Sequence, residues 1–324
     1  MKEENEMTNK KSTCRHGRPV VTGFFEKRTS SVQYVVVDPE SQECAIIDPV
    51  LDFDPNSGAT ATISADALLA HIEREGYKLV WILDTHPHAD HLSAAGYLRS
   101  KTGVRTAIGE KVVDVQKLWK RIYNYADTFA TDGSQWDRLF ADGERFRIGN
   151  LDVDVMLTPG HTLASITYLV GDAAFIHDTI FMPDGGTARA DFPGGSARAL
   201  WSSIQRIMTL PDGARLFTGH DYCTGGRKQP VWESTVEQQR VGNIHLTMAK
   251  TEEQFVSLRE ARDRELPMPK LILHSLQVNI QGGQLPEQEE NGKRYLKIPL
   301  DALGHAPWAI DRISKPSDHK KDLS

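Results

Sequence analysis

The segment Thr85-His86-Pro87-His88-Ala89-Asp90-His91 constrains this chain more than any other. It follows directly on KLVWILD, a continuous apolar run of the kind found in a central strand buried on both faces. Residues 86–91 hold four potential metal ligands, and burying them without a cation is costly because polar groups stripped of water lose hydration. In a turn after one strand, His86 and His88 can face one metal position, while Asp90 and His91, one step further, reach an adjacent one. The competing explanation is a polar loop whose histidines only cap the helix that follows.

Three more places supply candidate ligands where strands stop. Thr158-Pro159-Gly160-His161-Thr162 sets His161 in a tight turn after LDVDVML, Asp178 ends AAFIHD, and His220 follows RLFT through Gly219. Each alone reads as an ordinary turn or strand-end residue. Together with the first segment they make one ordered set, His86, His88, Asp90, His91, His161, Asp178 and His220. Imidazole is the commonest metal ligand, so a clustered subset of the twelve histidines is the natural place for metal chemistry. The other seven histidines, His245, His274 and His305 among them, lack ligand spacing and read as helix or loop residues.

Around these places the chain alternates strands and helices. SVQYVVVD from Ser31 and CAIIDP from Cys44 form a hairpin across PESQE, and SADALLAHIEREGY reads as a helix capped by Ser64 or Asp66 and stopped near Gly76. LSAAGYLRSKTG continues from His91 as a helix to Gly103, and KVVDVQKLWKRIYNY aligns Val112, Val115, Leu118, Trp119 and Ile122 on one stripe. Further on, FRIGNLDVDVML turns at Gly149-Asn150, ASITYLV and AAFIHD meet at Gly171-Asp172, and SARALWSSIQRIMTL is a helix before the short strand RLFT. A strand-rich stretch capped by a helix thus occurs twice. The predicted fold is α/β (α+β): two mixed sheets face to face with helices outside, a four-layer αββα sandwich. Residues 1–18 are expected to be a disordered tail, 19–245 the catalytic domain, 246–312 an extension packed on the same domain, and 313–324 a second disordered tail. Near the extension, TVEQQRVGNIHLTM and TEEQFVSLREARDREL read as two helices separated near Lys250, and LPMPKLILHSLQVNIQGG as a Pro-punctuated extension. It is expected to pack on the metal face or against a partner subunit, which leaves a homodimer open.

Charge narrows the partners. With 38 Lys+Arg against 44 Asp+Glu the net charge is −6, and no dense basic patch is visible, which argues against nucleic-acid and anionic-membrane binding. Glu3, Glu4 and Glu6 suit neither a secretory nor a mitochondrial signal, and no apolar run reaches the roughly 20 residues of a membrane span, so a soluble, cytoplasmic protein is expected.

The order His-x-His-x-Asp-His, Pro-Gly-His, strand-end Asp and Gly-His resembles the metallo-β-lactamase superfamily, from about Ser31 to about Arg240. The resemblance implies that superfamily's αββα sandwich with metal at the sheet edges. Spacing alone suits a dinuclear zinc hydrolase like glyoxalase II, acting on a thioester or a lactone. One Zn(II) would take His86, His88 and His161, the other Asp90, His91 and His220, with Asp178 bridging. The segments THPHADH, TPGHT, FMPDGGTARADF, ARALWSSIQRIMTLPDGARLFTGHDY and ESTVEQQRVGNIHL look instead like the persulfide dioxygenases, or sulfur dioxygenases. That resemblance implies one Fe(II) per chain on His86, His161 and Asp178, a two-His, one-carboxylate set with positions open for substrate and O₂. His88, Asp90, His91 and His220 would then orient ligands and shape the pocket. The implied reaction takes glutathione persulfide, O₂ and water to sulfite and glutathione, in sulfide detoxification. Arg189 resembles the family arginine that contacts the glutathione carboxylate, and Tyr222, near His220, is a candidate pocket residue. Cys14, Cys44 and Cys223 have no rhodanese-type surroundings, so the sulfur is expected to arrive on a small diffusible thiol.

Overall fold

The computed structural model describes residues 17–304. Residues 1–16 of the first expected tail, the whole of the second, Cys14 and His305 lie outside the described residues. In chain order come β1 (Val20–Glu26), β2 (Ser31–Val37), β3 (Glu43–Ile47), β4 (Val50–Asp54), β5 (Ala59–Ala61) and α1 (Ile63–Glu75). Next are β6 (Lys78–Leu83), β7 (Leu92–Ser93), α2 (Ala95–Thr102), β8 (Thr106–Gly109), α3 (Val112–Tyr123) and β9 (Arg138–Phe140). The second half contributes β10 (Arg145–Ile148), β11 (Leu151–Leu157), β12 (Ile166–Val170), β13 (Ala173–His177), α4 (Ala197–Ile207), β14 (Arg215–Thr218) and β15 (Glu233–Thr235). Four helices close the order: α5 (Val236–Gly242), α6 (Ile244–Met248), α7 (Glu252–Asp263) and α8 (Ile272–Asn279).

The strands form two six-stranded sheets, β1-β2-β3-β6-β8-β9 and β10-β11-β12-β13-β14-β15, plus a small β5-β4-β7 sheet. Alternation along each strand decides the layers. On β2, Val32, Tyr34 and Val36 join Trp81, Phe140, Phe146, Val153, Tyr168 and Phe175 between the sheets. Val35 and Val37 of the same strand face the other way, against Leu68 and Ile72 of α1 and Leu98 of α2. On the far side, Ala174, Ile176 and Leu216 pack on Leu200, Ile204 and Ile207 of α4 and on Phe255 of α7. This is the expected helix–sheet–sheet–helix order, and each large side chain taken fully from water contributes about 1.5–3 kcal/mol. Buried tyrosines need a partner for the hydroxyl; Tyr168 crosses between the sheets and donates to the Asp84 carbonyl at 3.0 Å, where the first metal-type segment begins.

Four local expectations are corrected. Helix α1 begins at Ile63 after Thr62, so Ser64 and Asp66 lie inside it, and the Ser64 N–H and hydroxyl turn instead to Asp52 at 2.9 and 2.6 Å. After His91 the chain first makes β7, pairing Leu92 and Ser93 with β4, and α2 starts only at Ala95. The stretch TVEQQRVGNIHLTM is two helices, broken at Asn243, whose side chain accepts from the His245 and Leu246 N–H groups and restarts the helix. The Pro-punctuated extension contains a helix, α8, and Ile272, Leu276 and Ile280 of that segment pack on Val115, Trp119 and Tyr123 of α3.

Candidate metal centre

The ligand-type residues converge where β6, β11, β13 and β14 end. Leu83 closes β6, and the next residues are fixed by Asp48, whose carboxylate accepts from the Thr85 N–H at 2.7 Å and the Thr85 hydroxyl at 2.8 Å. After β11, Pro159-Gly160 turns His161 inward. Gly160 has φ +136°, and a Cβ there would lie 2.3 Å from the Leu200 backbone, so α4 and this turn approach as closely as they do only with glycine. At the end of β13 the register with β14 shifts between Phe175 and His177, and His177 sits at φ +39°, which swings Asp178 off the sheet towards the histidines.

His86, His161 and Asp178 are buried and offer donor atoms that all lie within 4.8 Å of one another. The Asp178 carboxylate oxygen is 3.9 Å from His86 Nε2 and 3.6 Å from His161 Nε2. Each imidazole is oriented through its other nitrogen. His161 Nδ1 donates to the Arg189 carbonyl at 2.9 Å. The Thr85 hydroxyl proton is spent on Asp48, so its oxygen accepts from His86 Nδ1 at 3.0 Å. Both rings therefore carry the proton on Nδ1 and turn the Nε2 lone pair inward, the arrangement of metal-ligating histidines. His86 Nε2 is buried with no hydrogen-bond partner, as a metal-facing nitrogen would be. Burial keeps both imidazoles neutral by lowering their pKa, and for His86 the neighbouring His88 and His177 add to the effect. Burial works against the Asp178 carboxylate too, but the adjacent His220 outweighs it and holds the pKa at about 2. Two neutral imidazoles and one carboxylate fit a divalent cation.

The other four predicted residues gather beside this set and largely bond one another. His88, Asp90 and His91 form a second group with donor atoms within 4.8 Å, and Asp90, Asp178 and His220 a third. Yet His220 donates to Asp178 from Nδ1 and to Asp90 from Nε2, each at 2.7 Å, and Asp90 also meets His91 Nδ1 at 2.9 Å. Burial disfavours charge on His220, but Asp178 and Asp90 on either side raise its pKa well above the usual range. His88 points its Nε2 at Asp48, 3.1 Å away. Burial alone would lower the His88 pKa; the Asp48 carboxylate lifts it to about 9.

Three buried neighbours were not singled out from sequence. Asp48 and Asp84 flank His88, and burial raises the Asp84 carboxyl to about 7. The ring of His177 packs 4.9 Å from that of His86. Its only sequence signal was its place directly before the strand-end Asp178. His245, which lacks ligand spacing, is a buried structural residue whose Nδ1 accepts from the Thr187 N–H at 2.9 Å.

A cavity of about 760 Å³ opens onto Asp90, His161 and Asp178. Tyr222 lines it, stacked on His220 with ring centroids 5.5 Å apart and planes at 10°, and Phe181 and Phe192 form apolar wall. Arg189 also lines it, but its guanidinium is bidentate to Asp191 at 2.7 and 2.8 Å and bonds the Pro267 carbonyl at 2.6 Å. What Arg189 presents to the centre is its backbone carbonyl. Arg262 and Lys270 are exposed at the cavity, and their side chains have no anionic partner among the described residues.

No helix among the described residues is long and apolar enough to cross a membrane. The chain is 66% identical over 290 residues to a beta-lactamase hydrolase-like protein of Xylella fastidiosa, a match that covers 90% of this chain and 67% of that protein. It is 30% identical over 271 residues to the mitochondrial persulfide dioxygenase ETHE1 of Mus musculus, covering 82% of this chain and 90% of that one. The crystal structure of ETHE1 from Myxococcus xanthus superposes with a TM-score of 0.65 at 27% identity, over 82% of this chain and 100% of that chain. Residues 28–220, from Arg28 in the turn of the first sheet's β1–β2 hairpin to the His220 that joins Asp90 to Asp178, match the metallo-beta-lactamase superfamily, and to that family the chain belongs.

Proposed function

We propose that this protein is a persulfide dioxygenase, oxidising glutathione persulfide with O₂ and water to sulfite and glutathione at one Fe(II) held by His86, His161 and Asp178. The observation that carries this reading is the division of labour among the seven residues. His86, His161 and Asp178 turn donor atoms to one point, while His220 bonds Asp90, His91 bonds Asp90 through Nδ1 and His88 Nε2 lies against Asp48, although His91 Nε2 and both His88 nitrogens are, like His86 Nε2, buried without a hydrogen-bond partner. A ferrous ion on the three would supply open positions for sulfur and O₂ and, unlike zinc, a redox-active centre. The chain's own residues do the rest. Phe181, Phe192 and Tyr222 wall the site with aromatic surface that excludes water from a soft sulfur donor. The charged His220, between two carboxylates, fixes the Asp178 carboxylate in place. Arg262 and Lys270 suit the carboxylates of a peptide thiol better than Arg189, whose guanidinium is already committed.

The test is metal analysis of anaerobically purified protein, then oxygen uptake with glutathione persulfide. One iron per chain and one O₂ consumed per sulfite formed is the expected result. The second reading, a dinuclear zinc hydrolase, is favoured by the nearness of His88, Asp90 and His91 and by the hydrolase-like name of the Xylella relative. Two bound zinc ions with hydrolysis of lactoylglutathione and no oxygen uptake would establish it instead. The carboxylate subsite is tested separately: Arg262→Gln with Lys270→Gln is expected to raise KM about tenfold, roughly the 1.4 kcal/mol of one lost charged contact, with kcat within about twofold.

A further inference from the structure

The loop from Asp84 to His91 has no regular secondary structure; its Asp84 N–H donates to Ala107 of β8 and its Thr85 carbonyl accepts from Ile166 of β12, each at 3.0 Å, but residues 86–91 make no backbone bond to a strand among the described residues. Buried N–H and C=O groups must nevertheless be paired. Here a residue 191 positions away from His88 pairs two of them and the Ser93 N–H just beyond. Asn279, the last residue of α8, donates both hydrogens of its side-chain amide, one to the His88 carbonyl and one to the His91 carbonyl, each at 2.7 Å. Its oxygen accepts from the Ser93 N–H, again at 2.7 Å. Only an amide matches two acceptors and one donor so placed; a carboxylate would face two carbonyls, and an apolar side chain would leave all three unmet. Asn279 is only 3% exposed, so water cannot substitute.

A second, independent contact lies just beyond the helix. Gly283 has φ +74°, and a Cβ on it would meet the Ser93 carbonyl oxygen at 2.7 Å and the Gly96 nitrogen at 2.8 Å. A Cβ on Gly96 would in turn meet the Gly283 carbonyl oxygen at 2.6 Å. Backbone therefore lies on backbone where the loop leaves for α2. Ser93 closes the arrangement by donating from its hydroxyl to Asp84 at 2.9 Å, joining the end of the loop to its beginning.

We infer that Asn279, seated by the Gly282-Gly283 turn, is the positioning residue of the metal loop, and that metal binding at His86 and ordering of α8 are one coupled equilibrium. The coupling is reciprocal: whatever orders α8 tightens the loop, and an ion that orders the loop protects α8. It holds whichever reaction the centre runs, because it concerns the geometry of the loop and not the substrate.

The test uses the full wild-type chain. Amide hydrogen exchange is compared between metal-free protein and protein loaded with Zn(II), with residues 63–75 of α1 as the reference. Loading is expected to protect residues 272–283 at least fivefold more than it protects α1, together with 84–95. Protection confined to 84–95, or equal at 272–283 and 63–75, would overturn the inference. A variant pair adds an independent readout. Asn279→Asp is expected to weaken Zn(II) binding about 10–100-fold, as loss of an orienting partner does, and to shift the visible spectrum of Co(II)-loaded protein. Leu276→Ala, a buried change on the same helix that keeps the Asn279 amide, is expected to lower Tm and, through the coupling, to weaken Zn(II) binding less than Asn279→Asp does, with the Co(II) spectrum unmoved. Equal behaviour of the two variants would make Asn279 an ordinary packing residue; should Asn279→Asp fail to fold, the wild-type exchange experiment decides.

Discussion

Replacing His161 with alanine is expected to leave a folded protein that no longer retains its metal. The ring supplies one of three converging donor atoms, with its Nε2 3.6 Å from Asp178, and no other imidazole among the described residues lines the cavity. Loss of a mere orienting partner weakens metal sites roughly 10–100-fold, so loss of a ligand is expected to cost on the order of 10³-fold or more, with turnover falling in step. Folding should suffer less, since the change removes one hydrogen bond to the Arg189 carbonyl, about 1–3 kcal/mol if that group stays buried. The matched experiment is His88→Gln. Its imidazole faces Asp48 at 3.1 Å, and glutamine can still donate there without leaving a bare buried carboxylate. One iron per chain should survive in His88→Gln and vanish in His161→Ala. If elemental analysis shows His88→Gln losing one of two metals, the mononuclear proposal fails.

The second large effect lies on α7, in two residues whose side chains bond none of the proposed ligands. Arg259 and Asp263 form a buried ion pair on α7, with contacts at 2.8 and 3.0 Å. Each also holds the strip that leads to Arg189: Arg259 donates to the Thr187 carbonyl at 2.9 Å, and Asp263 accepts from the Ala190 N–H at 3.0 Å. Removing one partner leaves an uncompensated buried charge, so Asp263→Ala is expected to destabilise the fold by about 3–5 kcal/mol in urea denaturation. Arg259→Met combined with Asp263→Leu should recover much of that stability, because no charge is then stranded. The metal affinity should not recover with it, since the carbonyl that orients His161 still sits on a strip without its two anchors. A loss below about 1 kcal/mol in Asp263→Ala would show that the pair is solvated in practice.

How much of this could be read in the sequence depended on whether the signal was local. The two sheets were legible because period-two alternation in segments such as LDVDVML and the turn pairs Gly149-Asn150 and Gly171-Asp172 are carried by neighbouring residues. The ligand cluster was legible because chemically matched residues recur in order at strand ends. Helix boundaries were not. Ser64 is a good capping residue by type, but Asp52, on strand β4, claims it. The commitment of Arg189 to Asp191 lies within the RAD tripeptide, yet nothing there distinguishes a paired arginine from one that waits for a ligand. Asn279 lay beyond local reasoning altogether: an asparagine ending a helix reads as a cap, and its bonds to His88 and His91 exist only once the chain has closed on itself.

The placement of the three proposed ligands has a consequence for unfolding. His86 hangs from the first sheet, through β6, whereas His161 and Asp178 hang from the second, through β11 and β13. An ion shared among them is a cross-link between the two halves of the sandwich, closing a long loop much as a disulfide would. In a chain with few cysteines, Cys44 inside a strand among them, that staple is reversible and answers to metal supply rather than to redox state. Holding the halves together and doing chemistry between them then fall to the same atom.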